Sequence, residues 1–469
     1  MTTPENCQTP GSFSASRSNA AIATIRSPRE RGTILIVTIW IITLLAGMAL
    51  VFAHTMRVEI QANGNRIYQV QSRELANGSI AYAQALTTEA IDQTLADEPQ
   101  AIGDDWIVLI TPDDEQDDRV TYGMIDEAAK VNLNTASQDM LLKLPGMTEE
   151  LAAAIIDWRD GDSELTTNGA EDEYYLMLEE PYTAKNGPIE SIDELLLVKG
   201  FTRQIIYGED SNRNGVLDAN ENDGDESDPP DNADGTLDAG IFPYVTVYSV
   251  QSNQNEDGNT KPNINNQNLG DVSTVIQQNL ENGRFLIVMD NIRNNRPFSN
   301  MVDFFYKSQM TAEEFAKVAN QLSDRNGNNV PGRININTAA KKVLLCLPEL
   351  EETDVDTLIN FRSSKTEEDL ASIAWVTEAL GEDGKAKAIA IGSYITTSTS
   401  QYAFDALVIR AKGRSYARRY IVIDTRQQAQ VRLAQDITNL GWPLRYTVLT
   451  TLKTEDDDPA EILSDESLR

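Results

Sequence analysis

The spacing of apolar residues divides the chain into one continuous apolar segment and a series of shorter amphipathic ones. Residues 33–53 contain no charged side chain. With a rise of ~1.5 Å per residue, a helix of this length just crosses a hydrocarbon core of ~30 Å. A backbone in lipid must satisfy its own hydrogen bonds, so the pattern predicts a transmembrane helix rather than a buried core helix.

Basic residues precede this apolar segment and set its orientation. Arg26, Arg29 and Arg31 lie just before it, and the residues after it carry mixed charge. Because positive residues remain on the cytoplasmic side, we expect the N-terminus in the cytoplasm. Everything after His54 is then expected outside the cytoplasm.

Beyond the apolar segment, the hydrophobic period changes from helical to alternating. Apolar residues recur at helical spacing over residues 57–96, which predicts a long helix that continues the membrane span. Alternation over residues 106–111 and 119–125 predicts a strand pair, and alternation over residues 402–411 and 418–424 predicts a terminal hairpin. The fold class that follows is α+β.

Two segments of the chain share an internal repeat. Residues 130–159 and 333–362 both contain N-x-N-T-A, then L-L-x-L-P, then an apolar helix that ends in Arg. The break after the first short helix predicts a helix-hairpin-helix unit, with Thr135 as the N-cap of its first helix. A weaker echo lies at residues 262–270. Similarity of this kind indicates duplicated modules.

The charge balance argues against a nucleic-acid surface on these modules. The chain has 73 acidic against 39 basic residues, a formal net charge of −34. Acidic residues such as Glu149, Glu150 and Glu351 follow the hairpins and would repel phosphate. We therefore expect these modules to pack against protein and to bind no nucleic acid.

The His and Cys content argues against an enzyme that uses a nucleophile. His54, beside the membrane segment, is the only His. Cys346 lies among Leu344, Leu345 and Leu347, which is typical of a core thiol. A Ser-His-Asp or Cys-His apparatus therefore cannot be built in the outer domain.

One acidic loop matches the ligand frame of an EF-hand. Residues 210–221 read D-S-N-R-N-G-V-L-D-A-N-E, with Gly215 at the sharp turn. Oxygen ligands at this spacing suit a hard cation such as calcium better than magnesium, which tolerates such cages poorly. The predicted ligands are Asp210, Asn212, Asn214, the Val216 carbonyl, Asp218 and Glu221.

Two further groups of oxygens are candidate cation sites. Residues 231–240 repeat the pattern D/N-G-x-L-D-A, which predicts a second ion. Its ligands would be Asn232, Asp234, the Thr236 carbonyl and Asp238. A third set of carboxylates that could share a cation is Asp160, Glu171 and Asp172. The alternative for the first loop, residues 210–221, is a solvated acidic loop.

Several motifs together resemble one protein family. The junction before the apolar segment reads R-E-R-G-T-I-L-I-V, and a basic leader that ends in Gly before an apolar helix resembles the prepilin signal. Residues 157–200 contain D-W-R-D, G-A-E-D-E-Y-Y, P-Y-T-A-K-N and E-L-L-L-V-K-G in that order. Most pilins have Glu at the fifth mature position, where this chain has Val37. The combination resembles the type II secretion system minor pseudopilin K (GspK) family, which lacks that Glu.

The resemblance implies a structural protein of the bacterial inner membrane rather than an enzyme. Prepilin peptidase would cut after Gly32 and methylate the amine of Thr33. The large domain would lie in the periplasm, at the tip of the pseudopilus, with the minor pseudopilins I and J and the major pseudopilin as partners. Because Val37 cannot pair with the N-terminal amine of a neighbouring subunit, it would suit the tip position. Calcium is expected in the periplasmic domain.

The implied fold has an N-terminal transmembrane and pilin-like helix, a small antiparallel sheet and a large helical insertion of helix-hairpin-helix (SAM-like) type. The alternative is a single-pass membrane receptor or hydrolase with a calcium-stabilised ectodomain. The predicted domains are a leader (1–32), a transmembrane helix (33–53), a pilin-like helix with the first strands (54–125), a helix-hairpin-helix insertion with the calcium loop (126–240), a second helical module with the closing strands (241–425) and an acidic mobile tail (426–469).

Overall fold

The computed structural model describes most of the chain, and contacts divide it into two units. The described residues are 30–89, 98–103, 105–112, 120–224, 226–255, 257–410 and 415–444. Most of the predicted leader and the end of the predicted tail lie outside them. The two units are Met1–Arg66 and Ile67–Arg469. Each is described by itself below.

The first unit contains the apolar part of helix α1 (Glu30–Glu89). Its large apolar side chains, such as Trp40 and Phe52, are exposed. The Thr38 and Thr43 hydroxyls donate to carbonyls one turn earlier, at 2.9 and 3.0 Å, so that they need no outside partner. Within the described residues, this is one helix long and apolar enough to cross a membrane.

The second unit contains the rest of α1 and all of the strands. These are β1 (Gln100–Ile102), β2 (Asp105–Pro112), β3 (Val120–Tyr122), β4 (Ile125–Asp126), β5 (Val131–Asn132), β6 (Val245–Thr246), β7 (Val250–Ser252), β8 (Asn329–Pro331), β9 (Ile334–Asn335), β10 (Ile395–Thr396), β11 (Gln401–Arg410), β12 (Ser415–Asp424) and β13 (Gln430–Asp436). The main sheet is antiparallel with the order β1-β2-β11-β12-β13, and β3 and β4 pair with β2 and β11. The predicted strand pair and terminal hairpin both belong to it.

The last turns of α1 pack on one face of this sheet. Small residues, Ala76 and Ala83, are buried there and let the helix backbone approach the strands. The Ser72 and Ser415 hydroxyls lie 2.8 Å apart across the same contact. The opposite face has its own apolar cluster around Val108 and Leu407. The predicted α+β class, with an N-terminal apolar helix and a small antiparallel sheet, is confirmed.

The remaining helices form the insertion between β4 and β11. They are α2 (Gln138–Leu142), α3 (Glu149–Arg159), α4 (Asp172–Tyr175), α5 (Arg203–Tyr207), α6 (Gly270–Asn279), α7 (Asn282–Asn295), α8 (Met301–Ser308), α9 (Ala312–Ala319), α10 (Lys341–Leu344), α11 (Glu352–Ser363), α12 (Glu367–Leu370), α13 (Ala374–Leu380) and α14 (Lys385–Ile391). They are arranged in three modules that begin and end alike. Each module opens and closes with a short parallel pairing: β5 with β6, Asn263 with Ser323, and β9 with β10.

The opening turn of each module is built by the two Asn residues of the N-x-N motif. The first Asn accepts the N–H two residues later, at 2.8–3.1 Å, in all three copies. The second Asn binds a distant loop. Asn134 exchanges hydrogen bonds with the backbone of Ile189, and Asn265 does so with Phe298. The weak echo at residues 262–270 is therefore a third copy of the opening turn, and it begins the second module.

An Arg at the end of a later helix closes each opening turn. Arg159 donates to the carbonyls of Leu133 and Ala136, and Arg362 donates to the carbonyls of Ile336 and Ala339. In the second module Arg296 donates to the carbonyl of Asn266. The Arg that ends the repeat in the sequence therefore satisfies carbonyl groups that the turn leaves unpaired.

The helix starts differ in one detail from the sequence prediction. Ser137, not Thr135, is the N-cap of α2, and its hydroxyl accepts the N–H of Met140. Thr135 lies inside the opening turn, where its N–H donates to the carbonyl of Asn132. The turn therefore extends two residues further than a simple strand-to-helix junction.

Buried polar contacts hold the modules to the sheet. Asp126, at the end of β4, accepts from the amide of Asn335 in the third module at 2.8 Å. Glu127 is paired with Lys130 at 2.7 Å and accepts from the hydroxyl of Tyr420 on β12 at 3.1 Å. The first and third modules share one apolar core, whereas the second module has a separate one.

The hairpin turns of the first and third modules predict a stability difference. Gly146 and Glu349 follow the Pro of each hairpin and have φ of 66° and 60°. Because a side chain is strained in this region, we expect Glu349→Gly to stabilise the protein by about 0.5–1 kcal/mol. Urea unfolding of the full chain in detergent measures this. As a control, Gln277→Gly, on the exposed side of α6, should destabilise it by about 1 kcal/mol. Destabilisation by Glu349→Gly would contradict the argument.

Candidate functional site

The first predicted calcium loop follows α5 and turns its oxygens inward. Among the predicted ligands, Asp218 is half-buried and the others are buried: Asp210, Asn212, Asn214, Val216 and Glu221. A solvated acidic loop would leave its carboxylates exposed. The burial therefore favours a loop that is organised around its own oxygens.

The backbone of this loop wraps around its two most buried carboxylates. Asp210 accepts from the N–H groups of Asn214 and Gly215, at 3.0 and 2.9 Å. Glu221 accepts from the N–H groups of Ser211 and Asp218, at 2.9 and 3.2 Å. Gly215 has a φ of 70°, as the sharp turn at the sixth position requires. The first and last positions of the predicted frame are thus drawn together by the backbone between them.

The electrostatics of this loop are unfavourable without a cation. Burial and, next, the charge of Glu221 raise the pKa of Asp210 to about 7. Burial also raises the pKa of Glu221. The side-chain amide nitrogens of Asn212 and Asn214 donate to Asp218 at 2.7 and 3.1 Å. Asp210 and Glu221 receive no side-chain amide donor from these two residues. An all-oxygen set with two buried carboxylates fits a hard divalent cation.

The second predicted loop lies at the surface. Asn232, Asp234, Thr236 and Asp238 are all exposed. The side-chain oxygens of Asn232 and Asp234 each accept the N–H two residues later, both at 2.8 Å. The N–H of Asp238 donates to Glu209 at 2.9 Å. Its oxygens therefore shape a series of local turns.

The third group of carboxylates lies close together, with Asp162 in place of the predicted Asp172. Asp160, Asp162 and Glu171 each place an oxygen within 4.8 Å of the others. Both carboxylate oxygens of Glu171 are buried and have no hydrogen-bond partner among the described residues. Asp172 instead accepts the N–H of Ala184 at 2.8 Å. The D-x-D spacing of Asp160 and Asp162 is the sequence signal that could have identified the replacement.

Burial and mutual repulsion act together at this third group. Burial is the largest cause that raises the pKa of Glu171, followed by the charge of Asp157. Asp157 is fully buried and accepts the N–H groups of Thr166 and Ala170, which folds the acidic segment over it. Gly169 lies against the same carboxylate, and a Cβ there would come within 2.0 Å of it. The acidic residues are therefore held together by the fold.

An ion pair that sequence analysis missed fixes the first calcium loop to the sheet. Arg418 on β12 is completely buried and forms a two-pronged pair with Asp405 on β11. The same guanidinium donates to the carbonyls of Asn212 and Arg213, the latter at 2.9 Å. Each nitrogen of the guanidinium therefore has an acceptor, and the backbone of the loop supplies two of these acceptors. The signal in the sequence was Asp405 in the apolar middle of β11, with arginines at the facing positions of β12.

Cys346 is not a candidate nucleophile. Its thiol is buried and donates to the carbonyl of Lys342 at 3.3 Å. Burial raises its pKa to about 12, so the thiolate form is absent at neutral pH. The prediction of a core thiol is confirmed.

Removing one partner of the buried ion pair should be costly. We expect Arg418→Met to destabilise the protein by about 3–5 kcal/mol, because Asp405 is left buried and unpaired. Urea unfolding measures the loss, and proteolysis of residues 210–221 reports on the loop. As a control, Lys341→Met removes the exposed pairs to Glu352 and Asp356 and should cost less than about 1 kcal/mol. Equal effects of the two variants would refute the role of Arg418.

Comparison with known proteins gives one consistent result. Residues 124–207 match the family model described as "Type II secretion system (T2SS), protein K". Type II secretion system protein K of Aeromonas hydrophila is 26% identical over 205 residues, 38% of this chain and 61% of the relative. The Klebsiella pneumoniae protein of the same name is 24% identical over 195 residues, 37% of this chain and 59% of the relative. The chain thus spans about three fifths of the length of these relatives.

A solved structure is also similar. It is the GspK-GspI-GspJ complex of the enterotoxigenic Escherichia coli type 2 secretion system, with 14% identity and a TM-score of 0.37 over 81% of this chain and 98% of the solved chain. The matched segment of the family model contains α2 to α5, including D-W-R-D and G-A-E-D-E-Y-Y. The chain therefore resembles type II secretion system protein K, as its motifs predict, and the first domain of that family lies at residues 124–207.

Proposed function

We propose that this chain is a structural minor pseudopilin at the tip of a type II secretion pseudopilus, needed for protein export across the outer membrane. The observation that carries the proposal is the family match over residues 124–207, in a chain that begins with an exposed apolar helix. The sheet, with the end of α1 packed on it, is the arrangement that a pilin-like domain needs. The modules then form the bulky part of the subunit.

The proposed location is the bacterial inner membrane, with a single span and the large domain in the periplasm. Three Arg residues before the span, Arg26, Arg29 and Arg31, favour a cytoplasmic N-terminus. The exposed apolar side chains of α1 support the span itself. The proposed orientation of the span is inferred from this charge asymmetry.

The proposed partners are the I and J minor pseudopilins, the major pseudopilin and prepilin peptidase. The peptidase would act at Gly32 and Thr33. Val37 supports the tip position, because an apolar residue at the fifth mature position offers no carboxylate to the amine of a subunit above it. A subunit without that pair ends the stack of helices.

We propose no catalytic role for the chain. The single His, His54, lies in the apolar helix, and Cys346 is a buried thiol with a raised pKa. The buried carboxylates at residues 210–221 face the loop backbone and the sheet. Their arrangement suits cation binding and structural support.

Calcium is the proposed cofactor, and its site is the loop of residues 210–221. Asp210 and Glu221 would neutralise a divalent cation, and the Val216 carbonyl and the side-chain oxygens of Asn212 and Asn214 would complete the set. A bound cation supplies positive charge that offsets the repulsion between the carboxylates. A second candidate calcium site is formed by Asp160, Asp162 and Glu171, because Glu171 has buried oxygens without partners among the described residues.

The decisive measurement for the proposed class is the intact mass of the chain. In cells that contain prepilin peptidase, we expect a protein that begins at Thr33 and carries one added methyl group. Gly32→Leu should retain the whole leader, because the last leader residue directs the cut. Gly47→Leu, within the apolar helix, is the matched control and should be processed normally. A full-length mass for the unaltered chain would favour an ordinary membrane anchor instead.

Calcium removal tests the proposed cofactor. In the unaltered chain, chelation should lower the melting temperature and expose residues 222–234 to protease, because the carboxylates then repel one another. The double change Asp210→Asn with Glu221→Gln should weaken calcium binding at this loop at least about tenfold, measured by calorimetry. Asp234→Asn, in the exposed loop, is the control and should leave this binding unchanged. Unaltered binding in the double variant would refute the site.

A further inference from the structure

A small polar cavity lies where the second module meets the third. Its volume is about 40 Å³, and its lining includes Gln251, Lys261, Ser323, Arg333 and Thr396. By the volume that one buried water needs, the cavity has room for about three water molecules, or for one small oxyanion. Ser323 and Thr396 are the closing residues of the two modules, so the cavity sits at their shared entrance.

The cavity contains a cation without a counter-charge. The Lys261 ammonium has no hydrogen bond or ion pair in the part of the chain that the structure describes. Burial and, next, the charge of Arg333 lower its pKa. Other lysines that are buried or half-buried have acceptors: Lys130 pairs with Glu127 at 2.7 Å, and Lys185 pairs with Glu194 at 2.9 Å. An unpaired Lys is unexpected in a chain with a net charge of −34.

The remaining polar groups around the cavity are incompletely used. Arg333 pairs with Asp324, but its Nε is buried without an acceptor among the described residues. The Arg333–Asp324 pair is neutral as a whole, so Lys261 leaves one positive charge. The Oε1 of Gln251 is also buried without a donor, while its amide nitrogen donates to Ser398 at 3.2 Å. The lining thus offers two donors with positive charge and one acceptor, and the Oδ2 of Asp324, the partner of Arg333, is a further buried acceptor without a donor among the described residues.

We propose that this cavity binds one small oxyanion between Lys261 and Arg333. The Gln251 acceptor selects an anion that carries a hydroxyl group, such as hydrogen phosphate or bicarbonate, over sulfate. The positive charge at Lys261 supplies the attraction. This assignment is independent of the proposed pseudopilin function.

The bound anion would fasten the second module to the third. Gln251 lies on β7, which enters the second module, and Arg333 lies just after β8, which leaves it. The core of the second module is completed by Ala374 of the third, and the amide of Asn300 donates to the Ile389 carbonyl, so an anion at the entrance adds to contacts that already join the two modules. An anion that bridges Lys261 and Arg333 removes their repulsion and joins the two strands to the third module.

The test uses the full chain in detergent, titrated with sodium phosphate at constant ionic strength set by sodium chloride. We expect one phosphate per chain by calorimetry and a rise in melting temperature, larger than the rise with sulfate. Lys261→Met should abolish both effects. Lys317→Met, an exposed lysine of the same module, is the matched control and should retain them. A phosphate response that survives in Lys261→Met, or that is absent in the unaltered chain, overturns the proposal.

A second variant separates loss of the site from loss of folding. Gln251→Glu places a carboxylate in the cavity, where it can pair with Lys261 in place of the anion. We expect this variant to melt at a higher temperature than the unaltered chain without phosphate, and to show no further rise with phosphate. A lower melting temperature without phosphate, or a preserved response, would show that the cavity holds only water. Equal responses of the unaltered chain to sulfate and phosphate would refute the role of Gln251.

Discussion

The contact on which the calcium loop depends most is the buried pair of Arg418 and Asp405. A guanidinium that is removed from water needs an acceptor for each donor, and Asp405 supplies only part of that set. The carbonyls of Asn212 and Arg213 supply the rest, so the loop backbone is fixed to β12. This fixed position keeps Asp210 and Glu221 out of solvent, and burial raises the pKa of both carboxyl groups, which supports the proposed cation site. The sheet and the loop are therefore energetically linked, although they are far apart in sequence.

The three modules solve a different problem, that of satisfying the backbone of a sharp turn without regular structure. Two Asn residues and one Arg do so in each copy, and the apolar residues around them are free to vary. The hairpins of the first and third modules share one core, and the second stands on its own core. This framework contains no carboxylate, and it is compatible with very different surface charge. The acidic loops are confined to the connections, chiefly in and after the first module.

Much of this architecture could be predicted from the sequence, and the limits have physical causes. The apolar helix, the strand alternation and the N-x-N-T-A repeat are periodic signals, and each corresponds to an observed element. The copy at residues 262–270 has Asn263, Asn265 and a closing Arg296 in common with the others but lacks T-A and L-L-x-L-P, so its identity depends on hydrogen bonds that no spacing reveals. Asp162 replaces Asp172 in the acidic group because the chain turns over Asp157. Arg418 escaped notice because its partners lie in β11 and in a loop about two hundred residues earlier.

Long-range polar contacts of this kind also explain how so acidic a chain remains compact. Where carboxylates are buried, the structure gives them backbone N–H groups, as at Asp210 and Asp157, or a guanidinium, as at Asp405. Buried cations such as Arg418 and Lys130 have a carboxylate or a carbonyl, whereas the half-buried Lys261 has neither among the described residues. A buried polar group without a partner therefore indicates a candidate ligand site, because most buried polar groups have a hydrogen-bond partner. The Glu171 carboxylate lacks a donor and the Lys261 ammonium lacks an acceptor, and these two groups carry opposite charges. By the same rule of complementarity, the proposed cation would complete the first and the proposed oxyanion the second.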